Sequence, residues 1–77
     1  MDTDTLPSPH VRQQLRLAAG LTQAEVADAI GVQRLAVARW EADVAKPHRG
    51  NRLKYAHFLR RLAEKYPAAA EEAPGED

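Results

Sequence analysis

Residues 21–31, Leu21-Thr22-Gln23-Ala24-Glu25-Val26-Ala27-Asp28-Ala29-Ile30-Gly31, carry both ends of one short helix in a single stretch. Thr22 and Glu25 stand at the spacing of a reciprocal capping box, and Leu21 and Val26 at that of a hydrophobic staple. Gly31, which takes positive φ without a Cβ penalty, ends the helix nine residues after the cap. A helix this short is not stable in water by itself, so the apolar side formed by Val26, Ala27 and Ile30 needs neighbours. The flanking sequence must therefore supply other helices within a short span.

Those neighbours are marked by similar punctuation. Ser8-Pro9 offers an N-cap followed by proline at the first helical position, Val11, Leu15 and Ala18 or Ala19 recur at helical spacing, and Gly20 closes a first helix over 9–19. A third helix is expected over 34–42, with Val32 and Val37 as its staple and Gln33 as a weak N-cap. Val37 and Trp40 form its inward edge, leaving Arg34, Leu35, Ala38 and Arg39 on the remaining arc. Residues 43–48 read as a loop. Leu53, Ala56, Phe58 or Leu59, Leu62 and Tyr66 mark a longer helix over 49–65, which Pro67 closes. Residues 67–72 are able to start a fifth short helix, and fraying is the competing expectation. No strand pattern or internal repeat competes with this reading, so the expected fold is all-α, a compact bundle of four to five helices.

The charge distribution is uneven. The 77 residues balance 11 basic against 11 acidic side chains, yet residues 10–66 hold every Lys and Arg and only five acids, a net charge of +6. Asp2, Asp4, Glu71, Glu72, Glu76 and Asp77 supply the balance from the ends. The expected organisation is a flexible acidic segment over 1–8, a folded basic domain over 9–66 and an acidic, disordered tail over 67–77. Such a core fits a polyanionic partner that the acidic ends partly screen. The expected compartment is the cytoplasm, because the acidic start does not suit a signal peptide and no apolar run approaches the ~18 residues of a membrane span.

Two short helices around a glycine turn, the second with a basic outward arc, form the arrangement that places a helix in the DNA major groove. The run from Gly20 to Ala27, then Ile30-Gly31-Val32, then Val37-Ala38-Arg39-Trp40-Glu41, resembles the lambda repressor and Cro-like helix-turn-helix family, the XRE family, and the likeness extends over residues 11–62. That resemblance implies a transcriptional regulator of double-stranded DNA, most simply a repressor. It implies base reading by Gln33, Arg34, Leu35, Ala38 and Arg39, with Arg34 and Arg39 forking onto guanine as the strongest candidates. It implies phosphate contacts from Thr22 and Gln23 at the start of the second helix and from Lys46 and Arg49 at the loop. It also implies a structural ion pair between Arg16 and Glu41. Four positions depart from the family pattern: Asp43 replaces the usual glycine two places after the glutamate, Gln33 replaces a Ser or Thr cap, and Leu35 and Ala36 replace polar residues.

Other chemistries find little footing. The chain has no cysteine and a single serine, Ser8, near its start, so a buried nucleophile has no candidate. Gly20, Gly31, Gly50 and Gly75 are scattered rather than gathered into a phosphate loop, and His10, His48 and His57 are too widely spaced for a metal site. Glu25 and Asp28, one turn apart, read as solvated carboxylates. The expectation is no enzyme, no metal, no cofactor and no small-molecule ligand. The rival reading is a protein-binding adaptor or an antitoxin-type module on the same fold, motivated by Tyr55, Phe58 and Tyr66, which exceed what a thin core requires and leave a homodimer interface open.

Overall fold

The first three helices each end at a residue that takes a left-handed conformation, and the fourth ends before Pro67; that punctuation fixes the order of elements. The computed structural model describes residues 6–71. Helices α1 (Pro9–Ala18), α2 (Gln23–Ile30), α3 (Arg34–Glu41) and α4 (Arg49–Lys65) are followed by a 3-10 helix over Pro67–Ala70, with no strand among the described residues. Ser8 caps α1 by accepting from the Val11 amide at 3.3 Å. At its other end Gly20 takes φ 71°, and the Leu21 N–H donates to the Arg16 carbonyl at 3.1 Å. Gly31 repeats this after α2 at φ 81°, with the Val32 N–H on the Ala27 carbonyl at 2.9 Å. These six-residue closures satisfy carbonyls that the helix leaves over and return the chain sharply toward the core.

The core lies where the four helices meet. Val11 and Leu15 of α1, Val26 and Ala27 of α2, Val37 and Trp40 of α3, and Tyr55, Leu59 and Leu62 of α4 form one buried cluster. Val37 is fully enclosed, in the angle between α2 and α3. α2 and α3 make the most extensive pairing in the fold, so the turn at Gly31 is fixed by packing as well as by backbone conformation.

The packing of α4 and the helix ends differ from expectation. The inward row of α4 is Tyr55, Ala56, Leu59 and Leu62, whereas Leu53 is 37% exposed. Tyr55 displaces it because its ring packs on Trp40, with centroids 5.0 Å apart and planes at 39°. Phe58 and Tyr66 are half-buried and pack against the core, so the three aromatics thought to be surplus are drawn inward. Residues on either side of 9–66 also pack on the helices. Leu6 packs on the core and Pro7 offers its carbonyl to Arg12 Nε at 2.8 Å, which places residues 6–8 with the folded unit. The 3-10 helix lies against α1 and α4, and Gln14 Nε2 donates to the Ala69 carbonyl at 3.0 Å. Residues 67–71 are thus part of the packed structure, while the acidic residues 1–5 and 72–77 lie outside the described part. At the helix ends, Ala19 and Ala42 are C-caps rather than last helical residues.

Candidate nucleic-acid interface

α3 turns its two opposite sides to different environments. Its buried residues, Val37 and Trp40, face the bundle, and Ala36 and Glu41 are half-buried beside them. Arg34, Leu35 and Arg39 are exposed on the opposite arc, with Ala38 half-buried among them and Gln33 exposed at the N-cap. All five residues expected to read bases therefore lie on or at the start of this one helix. The Gln33 side chain makes no capping bond.

Beneath that arc runs a chain of polar contacts. Arg16 Nε donates to Glu41 Oε2 at 2.6 Å, and its Nη2 donates to Glu41 Oε1 at 3.0 Å. The third branch, Nη1, reaches the Leu21 carbonyl at 3.0 Å. Both side chains of this pair are nearly removed from solvent, at 11% and 5% exposure, so the bidentate fork compensates a real desolvation cost. Hydrogen bonding to Glu41 raises the Arg16 guanidinium above its already high range, against the opposing effect of burial. Gln23 Nε2 also donates to Glu41 Oε1, at 3.1 Å, and Gln23 Oε1 accepts from Arg34 Nη1 at 3.4 Å. The expected phosphate ligand Gln23 is thus oriented by the core ion pair on one side and touches an exposed arginine of α3 on the other. Thr22 is engaged in the capping box, accepting from the Glu25 amide at 3.0 Å while Glu25 Oε1 accepts from the Thr22 amide at 2.8 Å.

Sequence reasoning missed the residue that holds the far end of α3. Arg12 is buried and, among the described residues, has no carboxylate partner. Its Nη1 donates to the Trp40 carbonyl at 2.9 Å and its Nε to Pro7 at 2.8 Å. A cation on the last carbonyls of a helix is electrostatically favoured. The available signal was spacing: Arg12 is four residues before Arg16 and next to Val11, hence on the inward side of α1. Asp43 then takes φ 61°, and the Val44 N–H donates to the Arg39 carbonyl at 3.1 Å, so the aspartate closes α3 as the glycines close α1 and α2. Among the described residues the buried Tyr55 hydroxyl has no hydrogen-bond partner. Its pKa is pushed up to about 12, first by burial and then by Glu41, with Arg12 and Arg16 acting in the other direction.

The loop beyond α3 adds positive charge beside the arc. Lys46 and Arg49 are exposed, and Lys46 Nζ lies 3.6 Å from Asp43 Oδ1 in a solvated pair. A shallow groove of about 210 Å³ separates α3 from this loop, with Trp40 and Pro47 among its walls and Arg39, Lys46, His48 and Asn51 bearing its polar groups. Arg39 belongs to both the arc and the groove, which places Lys46 beside the exposed arc, whereas Arg49, Thr22 and Gln23 do not line the groove. Among the described residues no group of His, Asp or Glu is placed to hold a metal ion, and no helix is long and apolar enough to cross a membrane.

Comparison with known proteins bears on this surface. A family model described as helix-turn-helix matches residues 13–65, more than half of the chain and the whole of α2, the turn and α3. No curated protein and no solved structure gives a match.

Proposed function

Because the chain belongs to the XRE family of helix-turn-helix proteins, the lambda repressor and Cro-like DNA-binding group, we propose that it is a sequence-specific regulator, a repressor that reads the major groove with α3. The observation that carries this reading is the two-sided character of α3. Its inner side is tied down by Val37, Trp40, Arg12 and the Arg16–Glu41 pair, while its outer side presents Arg34, Leu35 and Arg39 to solvent. A helix held on one side and left bare on the other is suited to enter a groove without rearrangement.

In this reading Arg39 and Arg34 donate in bidentate fashion to guanine O6 and N7, Gln33 offers its amide to adenine, and Leu35 with Ala38 covers apolar base edges. Thr22 and Gln23, with the N-terminus of α2, meet one phosphate, and Lys46 and Arg49 meet the backbone on the other side of the groove. Contact with Glu41 and Arg34 makes Gln23 a positioning residue for Arg34 as well. Two copies bind a pseudo-palindromic operator, their reading helices about 34–36 Å apart, and repression follows from occlusion of the polymerase. The place of action is the cytoplasm, at the nucleoid when bound to DNA.

Selection of duplexes from a randomised library at near-physiological salt, followed by sequencing, tests the reading. The expected result is a pseudo-palindromic motif whose enrichment is lost with Arg39→Ala at one or two base positions. Absence of any enriched motif from a folded protein would replace this function with protein binding on the same fold.

A further inference from the structure

The arginines are not at the centre of the exposed arc. At about 100° per residue, Leu35 lies roughly 170° round the helix from the midpoint of Val37 and Trp40, which face the core. Ala38 and Arg39 flank it, and Arg34 falls at the rim, where Gln23 touches it. Leu35 is 46% exposed, a large apolar side chain on the middle of a surface otherwise edged by cations. Ala38, one turn on, is small and half-buried, so the two together make an apolar strip at the point of deepest approach to a groove. A leucine there offers no hydrogen bond to a base edge. The one apolar group that a base pair displays in the major groove is the methyl on C5 of a pyrimidine.

We propose that Leu35 is a specificity determinant of α3 alongside the arginines and that it reads the C5-methyl group of a pyrimidine next to a guanine held by Arg39. The proposal rests on the DNA-reading function above and refines it. Leu35 and Arg39 are four residues apart and therefore stand side by side along the helix, so one methyl and one neighbouring guanine are met together. The same C5-methyl group is carried by thymine and by 5-methylcytosine. The chemistry of the contact is shared between them, and α3 then discriminates methylated from unmethylated cytosine at that position.

The test begins from the duplex enriched by selection and replaces each thymine in turn by deoxyuracil, which removes only the methyl. One position in each half-site is expected to lose about three- to tenfold in affinity with the wild-type protein. Leu35→Ala, at an exposed site where folding is checked by its thermal melt, is expected to bind the thymine and uracil duplexes equally. At that same position cytosine and 5-methylcytosine are then compared. Recovery by 5-methylcytosine assigns the contact to the methyl from either base, and failure to recover assigns it to thymine. Equal binding of thymine and uracil duplexes by the wild type, or an undiminished uracil penalty in Leu35→Ala, overturns the proposal while leaving DNA reading intact. Failure to enrich any duplex overturns both.

Discussion

α2 and α3 are both eight residues long and adjoin across one turn, yet they are specified in opposite ways. α2 is written locally: a complete capping box opens it and a left-handed glycine closes it. α3 has neither device. Gln33 makes no side-chain cap, and the left-handed position after the helix is occupied by Asp43. What holds α3 comes from far along the chain, with Arg12 on the Trp40 carbonyl, Arg16 and Gln23 on Glu41, and Tyr55 against Trp40. The difference teaches that a helix which must expose one whole side can be stabilised through its other side and its ends, and that these supports reach back into α1 and α4. It also means that the exposed side of α3 is sensitive to residues in α1 and α4 that lie outside it.

If that contrast is right, the largest loss comes from cutting a distant support. Glu41→Ala leaves Arg16 buried without its partner and removes an acceptor from Gln23, and is expected to destabilise the domain by about 3–5 kcal/mol in urea or thermal unfolding. Replacing the pair together, with Arg16→Met and Glu41→Leu, is expected to cost less than Glu41→Ala. A single substitution no worse than the double would show that the pair does not hold α3.

The next effect is visible only in alkali. The pKa of Tyr55 is raised from 10.0 to about 12 in the folded protein, so the neutral hydroxyl is favoured by folding. The corresponding stability is fully present below pH 10 and is lost as pH rises toward 12, a change of roughly 2–3 kcal/mol relative to a chain without this group. Tyr55→Phe is expected to lack this decline and, having no hydrogen bond to lose, to be no less stable than wild type at neutral pH. Parallel stability curves for the two proteins between pH 10 and pH 12 would mean that the hydroxyl is solvated.

How much was legible follows the same division. The ends of α2, the Gly20 and Gly31 turns and the outward arc of α3 were readable because each depends on residues within a few positions of one another. The inward role of Tyr55 was not, since its partner Trp40 is fifteen positions away and a periodic apolar row through Leu53 looked equally good. Arg12 escaped notice because an arginine is read as exposed by default, and only the tertiary fold brings the open end of α3 to it. A short helix after Pro67 was one of two outcomes open to the sequence; its docking was not readable, because it depends on Ala69 and Ala70 being small enough to settle on the core. On α3 the division into buried and exposed residues was readable, but the place of each exposed residue around the arc was not. Leu35 takes the centre of the arc through the phase of the helix against the core, which the burial of Val37 and Trp40 fixes.

Cap substitutions sharpen the comparison at lower energy. Thr22→Ala removes half of a working capping box and is expected to cost about 1 kcal/mol, whereas Gln33→Ala, at a position without a cap bond, is expected to change stability by less than about 0.5 kcal/mol. Equal costs at the two positions in denaturant titrations would erase the claimed difference between the helices.

The smallest effect tests the other end of α3. Asp43 holds φ 61°, a conformation in which a Cβ is unfavourable, and places a carboxylate near the negative end of the helix dipole. Asp43→Gly removes both penalties. Against this stand the wider freedom of glycine in the unfolded chain and the loss of a solvated pair with Lys46 at 3.6 Å, which is worth little in water. The balance is an expected gain of about 0.5–1 kcal/mol, read as a higher denaturation midpoint. Asp43→Ala keeps the Cβ in the left-handed region and is expected to show no such gain. The same glycine variant frees Lys46 from its only carboxylate neighbour among the described ion pairs, so its DNA affinity should rise modestly, and the rise should shrink as salt screens the charge. A destabilised Asp43→Gly would instead show that the aspartate side chain supports the turn, making α3 as locally specified at its end as α2.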